Sequence, residues 1–435
     1  MYFVYSLLLT LGFLVLIPRF LFDALRHGKY VAGFGERLGS VTPLPVKTGA
    51  VVWIHCVSVG ESQAARPLVS EIRKRFPNHT LVISTTTLTG QKLAREIFKT
   101  EAARVFYFPF DWAWTVRRTL NAIRPDLVLI METEIWPRFF RECESHGVQL
   151  AIVNGRLSSQ SFRRYKWIRG FLKRVLQGLT LAVMQTNTDA ERIVGLGLDP
   201  MRAFVSGSMK FDAGKMRGSD SLRAEFCERF NISGTAPLLI AASTHAPEEI
   251  LILDALAKVI RRDLRLILAP RHPERFGEVA ALLDKSGRPW TRRSSPPNSS
   301  DRDSNVILLD TIGELSSLYS LATLVFVGGS ISPTGGHNIL EPAAVGSAII
   351  TGPHTFNFAD ITRSFVKAKA IVQLSSANLR ESTEELSAAI NDLLSDGAHR
   401  SELQQKAKDL VQQNLGATER TIGYLNSLLV GSSEK

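Results

Sequence analysis

Residues Thr323 to Gly346 read TLVFVGGSISPTGGHNILEPAAVG, and the reading of this run decides the fold. Leu324 to Val327 are four apolar residues in a row, the pattern of a short strand buried on both faces. Gly328, Gly329, Gly335 and Gly336 follow and let the backbone approach another group closely. Asn338 stands where a helix N-cap is expected, so backbone N–H groups there can face an anion. Glu341 lies among Ile339, Leu340, Pro342, Ala343 and Ala344. A carboxylate in such company is expensive to bury unless it is hydrogen-bonded, and a ribose diol would supply two donors. The run therefore predicts a strand, a glycine turn and a helix start that together grip a nucleotide. No ordinary phosphate-loop motif occurs elsewhere.

The same grammar extends outward in both directions. Strands are predicted at 51–54, 81–84, 105–108, 127–131, 150–153, 181–185 and 203–205. A second series falls at 238–241, 264–269, 306–309, 324–327, 348–350 and 370–373. Helical stretches alternate with them, beginning with 61–76. Such alternation predicts an α/β protein with parallel sheets covered by helices on both faces. Two Rossmann-like domains facing across a cleft are expected, with ligands at the C-terminal ends of the strands. The expected bounds are an anchor over 1–22, a first domain over 23–212 and a second over 213–400. A linker is expected near 207–218, and a C-terminal helix over 401–435 crosses back to the first domain. Ser294 to Ser304 is rich in Ser and Pro and reads as a mobile surface loop.

At 435 residues, two domains are the default. The net charge of +11 points to anionic partners. Residues 2–17 (YFVYSLLLTLGFLVLI) carry no charge, and Phe20, Leu21 and Phe22 extend the stretch past Pro18 and Arg19. No basic start or small-residue cleavage site marks a signal peptide. The expectation is a membrane-anchor helix. Arg19, Arg26, Lys29 and Arg37 follow it and place the rest of the chain in the cytoplasm. Between Gly155 and Leu179, seven Arg and Lys residues occur with no acid, alongside Trp167 and Phe171. A basic helix over 156–179 of this kind suits an anionic membrane surface, its apolar stripe serving as core. No nucleic-acid-binding motif is present, and nucleic acid is not an expected partner.

Several motifs follow predicted strands. HCVSVGE (55–61) places Glu61 at a helix start, where it is either a simple complement to the helix dipole or a general base. METEIWP (131–137) carries Glu132 and Glu134, which share a face if the strand persists. SGSMKFD (206–212) offers Lys210 as a cation for a developing leaving-group charge. APRHPER (269–275) offers Arg271 as a phosphate ligand. TIGEL (311–315) offers backbone groups to a base or sugar. Cys56, Cys143 and Cys227 and the nine histidines show no metal-ligand spacing. His79, His146 and His399 fit surface positions. Asp301 and Asp303 form a D-x-D inside the polar loop, where a metal–diphosphate role is not expected.

Taken in order, SVGE, METEIWP, NGRLS (154–158), SGSMKFD, APRHPER and GGHNILEPAA resemble the 3-deoxy-D-manno-octulosonate (Kdo) transferases over essentially the whole chain. The resemblance implies a GT-B glycosyltransferase fold. It also implies transfer of Kdo from CMP-Kdo to the lipid A precursor lipid IVA at the cytoplasmic face of the inner membrane, in lipopolysaccharide core biosynthesis. It implies that Glu61 is the general base and that Glu132 and Lys210 stabilise the transition state. Pro270, Arg271, Ile312, Gly313, Glu314, Asn338, Ile339, Leu340 and Glu341 would bind CMP. A single inverting displacement follows, with CMP-Kdo as co-substrate and neither cofactor nor metal. Two other readings stand beside it. One is a GT-B transferase or epimerase using a different nucleotide sugar. The other is a membrane-tethered lipid-binding or scaffold protein without catalysis.

Overall fold

The computed structural model describes residues 1–27, 33–44, 49–213, 219–232 and 236–431. Lys29, residues 214–218 of the expected linker and the side chains of Arg19 and Arg26 lie outside that description. The chain divides into two compact units, one of residues 1–213 with 414–435 and one of residues 214–413.

The first unit is built on a parallel sheet of seven strands: β1 (Val51–Cys56), β2 (Thr80–Thr85), β3 (Arg104–Tyr107), β4 (Leu127–Met131), β5 (Gln149–Gly155), β6 (Leu181–Met184) and β7 (Ala203–Val205). Their spatial order is β3-β2-β1-β4-β5-β6-β7. Every residue of β1 and β4 is buried, which is why both read as unbroken apolar runs rather than alternating ones. Helices cover both faces of the sheet. Trp53 and Phe106 pack with Phe139 and Phe140 on one side, while Ile54 and Leu68 pack with Ile72 on the other. The last helix, Ala417–Gly431, packs on this sheet too, through Ile422, Leu425 and Leu429. His79 is buried against it, its Nε2 lying 3.0 Å from the Leu429 carbonyl, and so is not the surface residue expected.

The second unit repeats the pattern with β8 (Leu238–Thr244), β9 (Arg265–Pro270), β10 (Trp290–Arg292), β11 (Val306–Leu308), β12 (Leu324–Val327), β13 (Ala348–Thr351) and β14 (Val372–Gln373). The order is β10-β11-β9-β8-β12-β13-β14, again all parallel. The sequence reading lacks β10, a three-residue edge strand in which Trp290 and Arg292 keep their side chains partly exposed. In both units the strand order reverses beside the first strand, between β1 and β4 and between β8 and β12. A crevice at the C-terminal ends is left there.

Three further expectations need correction. Among the described residues, no helix is long and apolar enough to cross a membrane. The helix Tyr2–His27 has only 16 uncharged residues before Pro18 and Arg19, about 24 Å at 1.5 Å per residue, against a hydrocarbon core of about 30 Å. One face of it is also docked on protein. Tyr5 donates to Asp111 at 2.8 Å, Arg138 donates to Ser6 Oγ at 2.7 Å, and Phe13 packs on Trp112 at 5.1 Å. Arg37, read as a positive flank, donates to the Thr86 carbonyl and lies over the Tyr107 ring. Second, the basic stretch 156–179 is not one helix but two, Ser159–Lys166 and Arg169–Leu176. Ile168, at φ −114° and ψ 23°, breaks the helical path between them. Third, the 294–304 loop is anchored by a fully buried Asp301, which accepts from Arg229 Nε at 2.8 Å, Thr291 at 2.6 Å and the Asn298 N–H at 3.1 Å. A bonded ion pair in the interior fixes a segment that composition alone marks as loose.

Candidate active site

In the first unit, the chain leaves β1 and turns at Ser58 into the helix Val59–Arg75. Glu61 sits in its first turn and reaches back, accepting from the Val57 N–H at 2.6 Å and from Ser58 Oγ at 3.1 Å. The residue is only 7% exposed. Burial raises its carboxyl to about 8, reinforced by the charges of Glu132 and Glu134 and opposed by the Val57 N–H. Burial and then Glu132 likewise raise Glu134.

Glu132 follows β4, the neighbour of β1 across the strand-order reversal. Its φ of 57° is unusual for a residue with a side chain and turns the chain sharply at the sheet edge. The Lys210 Nζ lies 2.9 Å from Glu132 Oε1, so the two form an ion pair that remains partly open to solvent. Lys210 is placed by a residue the sequence reading quoted but gave no role. Asn154, fully buried and at φ 53°, accepts from the Met209 N–H at 3.0 Å. Glu61, Glu132 and Lys210 are thus one charged cluster, with Glu134 beside it. His55, in the same motif as Glu61, takes no proton. It is fully buried, stacks on Phe108 at 3.9 Å, and burial pushes it down to about 3.

In the second unit, the predicted nucleotide residues lie on loops after β9, β11 and β12. Pro270 ends β9, and Arg271 follows with an exposed side chain and its N–H bonded to the Thr244 carbonyl at 3.0 Å. Ile312 is 82% exposed beside Gly313, whose φ is 90°. Glu314 is held by Arg293 Nε at 2.9 Å and Thr311 Oγ1 at 2.7 Å, so its carboxylate shapes the TIGEL loop. Asn338 Oδ1 accepts from the Leu340 N–H at 3.0 Å, and Asn338 Nδ2 donates to Glu341 Oε1 at 3.0 Å. The helix there is a single turn, Leu340–Ala344, with Ile339 in the cap position rather than Asn338. A single turn has a weak dipole, so its contribution to anion binding is smaller than a full helix start would give.

Glu248 escaped the sequence reading because PEE at a helix start looks like ordinary dipole complementarity. It is fully buried and accepts from four successive backbone N–H groups of the glycine turn: Gly329 at 2.8 Å, Ser330 at 2.9 Å, Ile331 at 2.8 Å and Ser332 at 3.3 Å. A fifth bond comes from the His245 N–H at 2.9 Å. Gly328 has no room for a side chain, since a Cβ there would lie 2.8 Å from the Glu248 carboxylate. Among the described residues, no group of three or more His, Cys, Asp or Glu is placed to hold a metal ion.

Known proteins similar in sequence or fold bear on what these residues do. The profile of the family described as 3-deoxy-D-manno-octulosonic-acid transferase (kdotransferase) matches residues 32–213. The chain is 32% identical over 414 residues to the 3-deoxy-D-manno-octulosonic acid transferase of Haemophilus influenzae, covering 93% of each protein. It is 32% identical over 409 residues to that of Bordetella pertussis, covering 92% of this chain and 91% of the relative. Among solved structures, the UDP-GlcNAc 2-epimerase of Neisseria meningitidis matches with a TM-score of 0.54 at 11% identity. That match covers 87% of this chain and all of the epimerase, and it speaks to the fold alone. At 32% identity over nearly the full length of its relatives, this chain belongs to the 3-deoxy-D-manno-octulosonic acid transferase family of glycosyltransferases.

Proposed function

We propose that the protein transfers Kdo from CMP-Kdo to lipid IVA in lipopolysaccharide core biosynthesis, by a single inverting displacement. Glu61 carries this reading. A carboxylate raised to about 8 is, once deprotonated, a stronger proton acceptor than an ordinary glutamate, and it sits at the strand-order reversal where ligands of α/β sheets gather. As the acceptor hydroxyl attacks the anomeric carbon of Kdo, Glu61 takes its proton. The bond from that carbon to the CMP phosphate breaks, and CMP leaves with the electron pair. Lys210, held by Glu132, supplies a positive charge to the developing anion. Arg271, Pro270, the 312–314 segment and the 338–341 segment bind CMP, with Glu341 on the ribose hydroxyls.

Lipid IVA is an anionic glycolipid, and the surface of the first unit suits it. The outer side of the helix Tyr2–His27 exposes Phe3, Leu7, Leu8, Leu11 and Leu14. In the same unit, after β5, Trp167 is 91% exposed among Arg163, Arg164 and Lys166. We assign this side to peripheral seating at the cytoplasmic face of the inner membrane.

The test is purified protein with a CMP-Kdo generating system and lipid IVA, read by mass spectrometry of the product. Acceptor-dependent CMP release is expected, inhibited by CMP and not by UDP. Glu61→Gln should lower kcat by about 10²–10⁴-fold while CMP binding persists. Inhibition by UDP in place of CMP would favour the alternative of a different nucleotide sugar. Near-normal turnover in Glu61→Gln would remove the base assignment.

A further inference from the structure

Three histidines meet at the strand-order reversal of the second unit. His245 follows β8, His272 follows β9 and His337 lies in the turn after β12. The Nε2 atoms of His245 and His337 are 2.9 Å apart, and their rings stack at 5.1 Å with an interplanar angle of 11°. The His272 ring meets His245 edge-on at 5.0 Å. At 2.9 Å one nitrogen must carry a proton and the other must present its lone pair, so the pair rests with one ring N–H between the two rings.

The surroundings hold the pair uncharged. Burial is the main cause: it lowers both imidazoles, reinforced on His245 by His272, Arg275 and Arg271 against the opposing charge of Glu249, and on His337 by His245, Arg271 and His272. Glu274 lies 3.6 Å from His272 Nδ1 but is largely exposed, and the buried carboxylates nearby are committed. Glu249 is bound by Arg275 at 2.7 and 3.1 Å, and Glu248 is filled by backbone N–H groups. Arg271 makes no side-chain hydrogen bond or ion pair among the described residues. The loop also has little freedom to retreat from the pair. Gly329 is at φ 66°, and a Cβ on it would lie 2.8 Å from the His337 ring. What results is a partly exposed, cation-rich corner with two neutral imidazoles, where Glu248 and Glu249 are already bonded and Glu274 faces solvent beside His272.

The geometry points to a proton-linked oxyanion site: an anionic group of the donor binds beside Arg271, and the His245–His337 pair takes up a proton as it does so. An oxyanion gives a partner to the positive charge that burial and the neighbouring cations disfavour, so binding and protonation favour each other reciprocally. The donor class offers two oxyanions, the phosphate and the sugar carboxylate. The inference rests on the second unit being the donor unit.

Calorimetry of the full-length protein at pH 7.5 in buffers of different ionisation enthalpy counts the protons. The probes are CMP, cytidine and free Kdo. CMP carries a phosphate whose second ionisation is near 6, so on entering a cationic site it can only release its remaining proton. Net uptake must therefore come from the protein. About one proton taken up per CMP, none with cytidine, and a Kd for CMP that weakens by about tenfold per pH unit on the alkaline side are the expected results. Uptake with Kdo but not with CMP would support the same site with the carboxylate as its ligand. His245→Gln and His337→Gln should each remove the uptake and flatten the pH dependence, with the fold checked by circular dichroism. The wild-type count needs no variant. CMP binding without proton uptake by either probe, or uptake unchanged in both variants, would overturn the inference and leave the donor reading standing. Failure of CMP to bind at all would overturn the donor reading itself.

Discussion

Glu61, Glu132 and Lys210 form one charged cluster, and this makes the proposed base testable by its pH dependence. The Glu61 carboxyl titrates near 8 because burial, then Glu132, outweigh the Val57 N–H. A base works when deprotonated, so kcat/KM should rise with pH to about 8 and level off above it. Glu132→Gln removes a repelling charge and should move that limb to lower pH. Lys210→Met strips Glu132 of its counter-ion 2.9 Å away and should move the limb to higher pH, besides lowering kcat. Opposite shifts are the signature; a limb at the ordinary glutamate position, or one unmoved by either change, would dissociate Glu61 from the proton transfer. At this scale the sequence was partly legible. Glu61, Glu132 and Lys210 each follow an apolar strand, which is enough to place them at one sheet edge. Their coupling was not visible, because it depends on a positive φ at Glu132 and on Asn154 holding the Lys210 loop through the Met209 N–H. Neither has a local pattern.

The glycine turn after β12 owes its form to one buried side chain on another element. Glu248 binds four of its N–H groups, and each would otherwise be a buried donor without a partner. Leaving a buried polar group unsatisfied costs about 1–3 kcal/mol. Glu248→Ala should therefore destabilise the protein by at least about 3 kcal/mol in a thermal or urea melt and weaken CMP binding in whatever remains folded. Glu248→Gln keeps one acceptor oxygen and should fall between it and wild type. A melt unchanged in Glu248→Ala would mean that water satisfies the turn as well as the carboxylate does. Elements of this unit were readable where burial is two-sided, as in Leu324–Val327, which needs no tertiary knowledge to appear as a strand. They were not readable where a long-range bond overrides composition. The Ser- and Pro-rich 294–304 segment is fixed by the buried Arg229–Asp301 pair, 72 residues apart in sequence. Trp290–Arg292 is a strand only because β11 pairs with it.

At the scale of the molecule, the net charge of +11 and the apolar exposed residues of the first helix bear on one question: how the protein would meet the lipid acceptor proposed for it. Apolarity of residues 2–17 was evident from sequence, but not that Tyr2, Tyr5, Ser6 and Thr10 turn one face onto the protein through Phe171, Asp111, Arg138 and Trp112. Only the remaining face is free, and a helix with one free apolar face lies in the interface rather than across it. In the seating proposed, the basic residues of Ser159–Lys166 add electrostatic attraction to an anionic leaflet, and salt weakens that part as the Debye length falls from about 10 Å at 0.1 M to about 3 Å at 1 M. The full-length protein should therefore sediment with vesicles containing anionic lipid more than with neutral ones. Raising salt should release much of it, and an alkaline carbonate wash should strip the rest. Leu7→Glu with Leu11→Glu places charge on the apolar face and should abolish binding to both vesicle types. Arg163→Glu with Lys166→Glu should abolish only the preference for anionic vesicles. Two separable losses are required, because the apolar face acts on any bilayer and the basic helix only on a charged one. Protein that resists carbonate, or that binds neutral and anionic vesicles equally, would overturn the interfacial seating.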